Sequence, residues 1–407
     1  MKTFKIYLLA LTTSVIAGCT EAFDNISDAK EVEKISVDFN LTMGVDNLKE
    51  SNLELKLKNI KEGLDYTFPV TSDVATAKDI IPGIYSINIS GAGKDNDDIE
   101  YLMNGNMVNQ LLLNNNEKFD VKVKGIMLAA LVFKEIYYAG VPSYYFRDQF
   151  YELYNNSSAV IYLDGIYFAA LVPGNAGASS PMTWADGKED YVYAERVWKF
   201  PGNGTEYPLA PGESVILAQS ARNHKEHNDA TPVDLSSAEF EFYTGSTTYP
   251  DLDAINMEHV FYNGKTNNGG LMQYMNPVFG PAMVIFKEAE GETWDPVNNP
   301  QWSVTELGVT STQLYAKIPI EYVWDAVETL NNSTILDRKR VPGLLDSGGI
   351  SVGNIYSGLG VARKIESTRE DGTHIYKDTN NTTEDFEVVV PEIRRNGAKT
   401  PSWNTWK

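Results

Sequence analysis

The chain has 407 residues, 43% hydrophobic and 11% aromatic, which is enough apolar mass for packed cores and excludes a wholly disordered protein. Its 34 Lys and Arg stand against 55 Asp and Glu, a net charge of −21 that repels phosphate backbones and anionic headgroups. That argues against general nucleic-acid binding and against electrostatic adsorption to membranes. One cysteine, Cys19, rules out an internal disulfide.

Lys2 and Lys5 open the chain, and an apolar run follows from Ile6 to Ala17. The run is shorter than the roughly 20 residues a helix needs to span a bilayer. A charged start, a short apolar middle and small residues at the end describe a signal peptide over 1–18. It closes on Ile16-Ala17-Gly18-Cys19, which resembles the lipobox of bacterial lipoproteins. The resemblance implies a lipid on Cys19 and anchoring in the outer membrane. Glu21, Asp24, Asp28 and Glu31 make 19–31 an acidic tether. It resembles the signal by which Bacteroidota send lipoproteins to the cell surface, although a solvated linker accounts for the same residues.

A first domain is expected over 32–125. Lys34–Leu41 and Leu53–Lys58 alternate apolar and polar residues, the period of half-buried strands. Pro82-Gly83 forms a turn feeding a strand over 84–89, and Phe119–Val123 alternates again. Short strands without helical periodicity indicate a small β-sandwich. The Pro-Gly-x-Tyr step resembles the carboxypeptidase-regulatory, prealbumin-like domains.

The second unit is expected over 127–390, with strands at 131–140, 148–157, 160–165 and 209–217. Glu135-Ile136, Phe150–Asn155, Leu163-Asp164-Gly165 and Leu209-Ala210-Pro211-Gly212, in that order, resemble the lamin tail domain, an immunoglobulin-like β-sandwich. Asp325–Glu328, Leu359–Lys364 and Asp378–Phe386 resemble that family's late elements. The overall expectation is an all-β chain, a prealbumin-like sandwich followed by a lamin-tail sandwich with long insertions at about 172–207 and 220–320. One helix is expected at 320–330, where Ile320, Val323, Trp324 and Val327 keep helical spacing behind Pro319. Residues 391–407 form a tail carrying Trp403 and Trp406. The arrangement resembles an uncharacterised Bacteroidota lipoprotein family bearing a domain-of-unknown-function label. Its members resemble partners of TonB-dependent outer-membrane receptors.

No catalytic set stands out. Cys19 is committed to lipid, there are four histidines, and no Gly-x-Ser-x-Gly elbow occurs. The expectation is therefore a non-enzymatic surface protein without cofactor, binding a ligand or an outer-membrane receptor and no nucleic acid. The alternative is a metal-binding protein or hydrolase using His224, His227 and Asp229, whose spacing permits a shared face; a solvated polar loop after the Leu217 strand is the favoured reading of these residues. Asp251 and Asp253 suit calcium or a turn. Glu152 and Asn155 read as structural. Trp184, Trp198, Trp294 and Trp302 lie in the insertions, where they either contact a ligand or partner or pack the loops. The insertions, not the first domain, are expected to carry recognition.

Overall fold

The computed structural model describes residues 32–405 except 46, 60, 97–99, 128–129, 178–180, 188, 229 and 290. The signal peptide, Cys19, the acidic tether, Asp229 and Trp406 lie outside the described residues.

Seven strands make the first unit: β1 (Ile35–Met43), β2 (Leu48–Asn59), β3 (Leu64–Val70), β4 (Val74–Ile80), β5 (Gly83–Asp95), β6 (Glu100–Leu112) and β7 (Glu117–Met127). They form one sheet in the order β3-β2-β5-β6-β7-β1-β4, parallel only where β1 meets β7. The sheet curls so that its edge strands β3 and β4 lie side by side. Alternation sends Val37 and Phe39, Leu55 and Leu57, and Ile87 and Ile89 to one shared interior. This unit runs from Ile35 to Met127 and is a single curled sheet.

The second unit holds β8 (Leu131–Tyr137), β9 (Phe150–Asn155), β10 (Ile161–Tyr162), β11 (Tyr167–Leu171), β12 (Tyr191–Lys199), β13 (Pro208–Leu209), β14 (Ser214–Ala218), β15 (Phe240–Glu241), β16 (Ile255–Asn256), β17 (Glu258–Tyr262), β18 (Ala282–Phe286), β19 (Ser303–Thr305), β20 (Leu314–Pro319), β21 (Val323–Glu328), β22 (Gly360–Arg363), β23 (Ile365–Thr368), β24 (His374–Tyr376) and β25 (Phe386–Val389). One sheet runs β16-β15-β14-β9-β8-β22-β25; the other runs β19-β20-β12-β11-β18-β21, with β17 also on β12. Phe133, Leu153, Phe168, Trp198, Val215 and Ile285 fill the layer between them. The chain is an all-β sandwich protein.

Two expectations need correction. Val323–Glu328 is strand β21 on β18, preceded by a single 3-10 turn at Ile320–Tyr322, so 320–330 is not a helix. Both faces of β21 are covered, and a strand buried on both faces gives apolar positions that also satisfy helical spacing. The segments read as insertions also supply central strands. β12, inside 172–207, and β18, inside 220–320, flank β11 in the middle of their sheet.

The C-terminal segment is fastened to the first of these sheets by buried charges. Glu152 accepts Lys134 Nζ at 2.9 Å, Ser214 Oγ at 2.6 Å and the backbone N–H of Arg394 at 3.1 Å, a structural role in keeping with its sequence reading. Glu135 accepts Arg395 Nε at 2.8 Å, and Glu239 pairs with Arg394. Burial pushes Glu135 and Glu239 above the usual carboxylate range, and the arginines oppose it. Trp403 donates to Pro208 O at 2.7 Å, so this tail tryptophan docks on the body. Arg395→Met leaves Glu135 without its cation and should cost about 2 kcal/mol. Urea unfolding of both proteins checks this through the midpoint at constant slope.

Candidate functional site

The strand register gathers the long connections at one end of the second unit. Tyr137 ends β8 opposite Phe150, Ala218 ends β14 beside Phe150, and β22 starts beside Ile136. In the facing sheet Leu171, Ala194, Ala282 and Glu328 close at one common end. The two ends are joined where Gln149 Nε2 donates to Asn276 O at 2.7 Å and Asn276 N donates to Gln149 Oε1 at 2.9 Å. Connections 138–149, 172–190, 219–239, 263–281 and 329–359 therefore emerge together.

A cleft of about 280 Å³ opens at this end between the starts and ends of two of them, 172–190 and 263–281. Ala170, Leu171 and Val172 form one wall, and the loop from Leu271 to Pro277 forms another. Glu195 and Arg196 complete it. They sit at a β-bulge: Ala170 pairs with Arg196 and Leu171 with Ala194, leaving Glu195 as the extra residue. A bulge re-aims side chains away from the plain alternation. The Arg196 guanidinium lies 3.7 Å over the Tyr262 ring and donates to Asn268 O at 2.8 Å. Gly269, at φ +67°, passes so close to Tyr262 that a Cβ would lie 2.4 Å from the ring, so this turn requires glycine.

Within the cleft loop the side chains divide sharply. Tyr274 is buried, its hydroxyl donating to Asn276 Oδ1 at 3.1 Å, and Asn276 in turn donates to Tyr151. Gln273 is 9% exposed, and its Oε1 finds no partner among the described residues. Met272 is 60% exposed, Met275 36% and Phe279 37%.

The residues singled out from sequence sit elsewhere. Trp184 stacks on Tyr193 at 4.2 Å, Trp198 packs edge-on to His259 at 4.8 Å, and Trp294 meets Tyr167 at 5.2 Å. All three are core side chains, so the contact role expected for them is corrected: they hold the connections down. Trp302 is half-buried against Tyr322. His224 is fully buried, with Nδ1 2.6 Å from Tyr145 Oη and Nε2 2.9 Å from Ser220 O, so both ring nitrogens are occupied within the protein. Burial lowers its pKa to about 4. His227 is exposed, with Nε2 3.2 Å from Arg222 Nη1. His224 therefore has no free nitrogen for a metal, and among the described residues no cluster of three such groups occurs. Asp251 accepts from Asn256 at 2.9 Å in a turn. Gln273, Glu195 and Arg196 escaped the sequence reading. The available signal was Asn267-Asn268-Gly269-Gly270, a turn followed by two methionines flanking a glutamine.

A family described as a protein of unknown function (DUF4876) matches residues 210–392. The crystal structure of a DUF4876 family protein from Bacteroides thetaiotaomicron VPI-5482 is 50% identical, covering 91% of this chain and 99% of that one with a TM-score of 0.66. The chain belongs to the DUF4876 family. The DUF4876 match contains the cleft loop and stops short of Glu195 and Arg196 on the N-terminal side. A leucine-rich repeat protein from the same organism also matches, at 11% identity over 44% of the DUF4876 chain and 24% of its own. Its TM-score is 0.18. No curated protein matches.

Proposed function

We propose that this DUF4876 protein is a non-enzymatic outer-membrane lipoprotein, held by lipid on Cys19 and facing the cell exterior. It binds a ligand or protein partner through the loop-bearing end of its second unit, as an accessory to a TonB-dependent receptor. The observation that supports this reading best is the cleft that the 172–190 and 263–281 connections line at this end, beside exposed Met272, Met275 and Phe279. Loops on a rigid sandwich are the usual seat of recognition, and exposed apolar side chains grouped on one loop suit a partner. The lipobox resemblance supports the anchor, and the chain's negative charge leaves membrane affinity to the acyl chains.

Cys19→Ala should move the protein from the membrane to the soluble fraction, and a variant that still sediments with membranes refutes the anchor. Crosslinking in intact cells should recover an outer-membrane receptor with the wild type and lose it with Met272→Ser/Met275→Ser. Equal recovery by both removes the loop-bearing end from recognition.

A further inference from the structure

The cleft beside Gln273 has a lining that narrows the chemistry of its occupant. Leu171, Val172, Leu271, Met275 and Pro277 make most of its wall apolar. Against this background stands one amide, more than nine-tenths buried, whose Oε1 lacks a hydrogen bond. A buried acceptor left unpaired costs roughly 1–3 kcal/mol, so a ligand donor that reaches it is favoured. A carboxamide presents a donor and an acceptor side by side, the complement of a backbone peptide group. The Arg196 guanidinium already lies over Tyr262 and bonds Asn268 O, so it is not poised as the main hook for an anion. Arg196 and Asn276 are already engaged and Glu195 is exposed at the margin, so the predominantly apolar wall suits an apolar side chain better than a polyhydroxylated ligand. Methionine adapts its shape to varied apolar groups, and Met275 in the wall with Met272 beside it provides that plasticity.

We infer that this cleft binds a peptide segment, taking an apolar side chain into the pocket while the Gln273 amide pairs with the segment's backbone amide. The inference rests on the proposed recognition role of this end of the protein and names its ligand class. A cavity of about 280 Å³ has room for one aliphatic or aromatic side chain with its flanking peptide groups.

The test uses full-length protein in detergent micelles with labelled methionine methyls, assigned through Met272→Leu and Met275→Leu. The probes are N-acetyl-leucine methylamide, its glycine analogue and glucose. The leucine amide should shift the Met275 methyl saturably, with a Kd on the order of 1 mM for so small a ligand. The glycine analogue should bind at least about tenfold more weakly, having lost the side chain. Gln273→Leu should weaken the leucine amide by about tenfold and leave the melting temperature unchanged or higher, because the unpaired buried oxygen is gone. A purely structural glutamine would instead lower the melting temperature and spare binding, which overturns the proposal. So does a leucine amide without a saturable shift, or glucose shifting Met275 in its place. If receptor crosslinking by the wild type persists in those cases, only the peptide class falls. If crosslinking also ignores the Met272→Ser/Met275→Ser change, the recognition role of this end falls with it.

Discussion

Arg363→Met should destabilise the second unit by about 3–5 kcal/mol, the cost of removing one member of a fully buried charge group. Arg363 is 3% exposed and meets Asp325 at 2.7 Å, Asp378 at 2.9 Å and Asp385 at 3.9 Å. Its Nε donates to Phe133 O at 3.0 Å, and Asp325 accepts the Phe133 N–H at 2.7 Å. The cluster therefore ties β22, β21 and β8 to one another across both sheets. Burial pushes Asp325 and Asp385 above the usual carboxylate range, and Arg363 pulls them back. Without the arginine those carboxyls rise further and hold protons that the unfolded chain would release. Their penalty is then absent below the ordinary carboxylate pKa and grows as pH rises toward the folded value. The Arg363→Met deficit should accordingly shrink between pH 7 and pH 5. Urea unfolding at both values decides: a variant within about 1 kcal/mol of wild type at pH 7 means the group contributes little.

That cluster also shows what a single sequence discloses. Asp325, Arg363 and Asp385 each fall in stretches that resemble late lamin-tail elements, and period-two alternation located β1, β2, β5 and β7. Those signals are local, so they survive in one chain. The helical misreading of 320–330 arose because β21 is buried on both faces and loses its alternation. Trp198 was misplaced because a long gap between recognised motifs looked like an insertion, although Tyr191–Lys199 enters the sheet centre. The cleft was illegible for a different reason. Glu195 owes its place to a bulge in register with β11, and Gln273 matters only because its neighbours leave its oxygen unpaired. Both depend on pairings distant in sequence, which neither composition nor spacing encodes.

Asp148→Asn should stabilise the protein at neutral pH and leave it unchanged near pH 4. Asp148 is fully buried at the loop-bearing end. Its Oδ2 accepts from Tyr137 Oη at 3.1 Å, and its own backbone N–H and the Thr231 hydroxyl also lie against the carboxyl, which offsets part of the burial cost. Burial pushes its pKa up from 3.8 to about 6. A carboxyl raised in the folded state binds a proton there more tightly than in the unfolded chain. Its penalty is absent below about pH 4, develops as pH rises toward 6 and is complete above that. At about 1.4 kcal/mol per pKa unit the penalty approaches 3 kcal/mol as an upper bound. Asparagine keeps an acceptor for Tyr137 and carries no charge to desolvate. The Thr231 hydroxyl, buried against this side chain, can bond the amide in place of the carboxyl. The pH dependence of His224, which titrates in an overlapping range because burial lowers it to about 4, is common to both proteins and cancels in their difference. At pH 7.5 the variant should melt roughly 5–10 °C above wild type, and the two curves should converge at pH 4. A variant that melts below wild type at pH 7.5 would show that the ionised carboxylate is stabilised by a partner, and that its burial is not the net cost argued here.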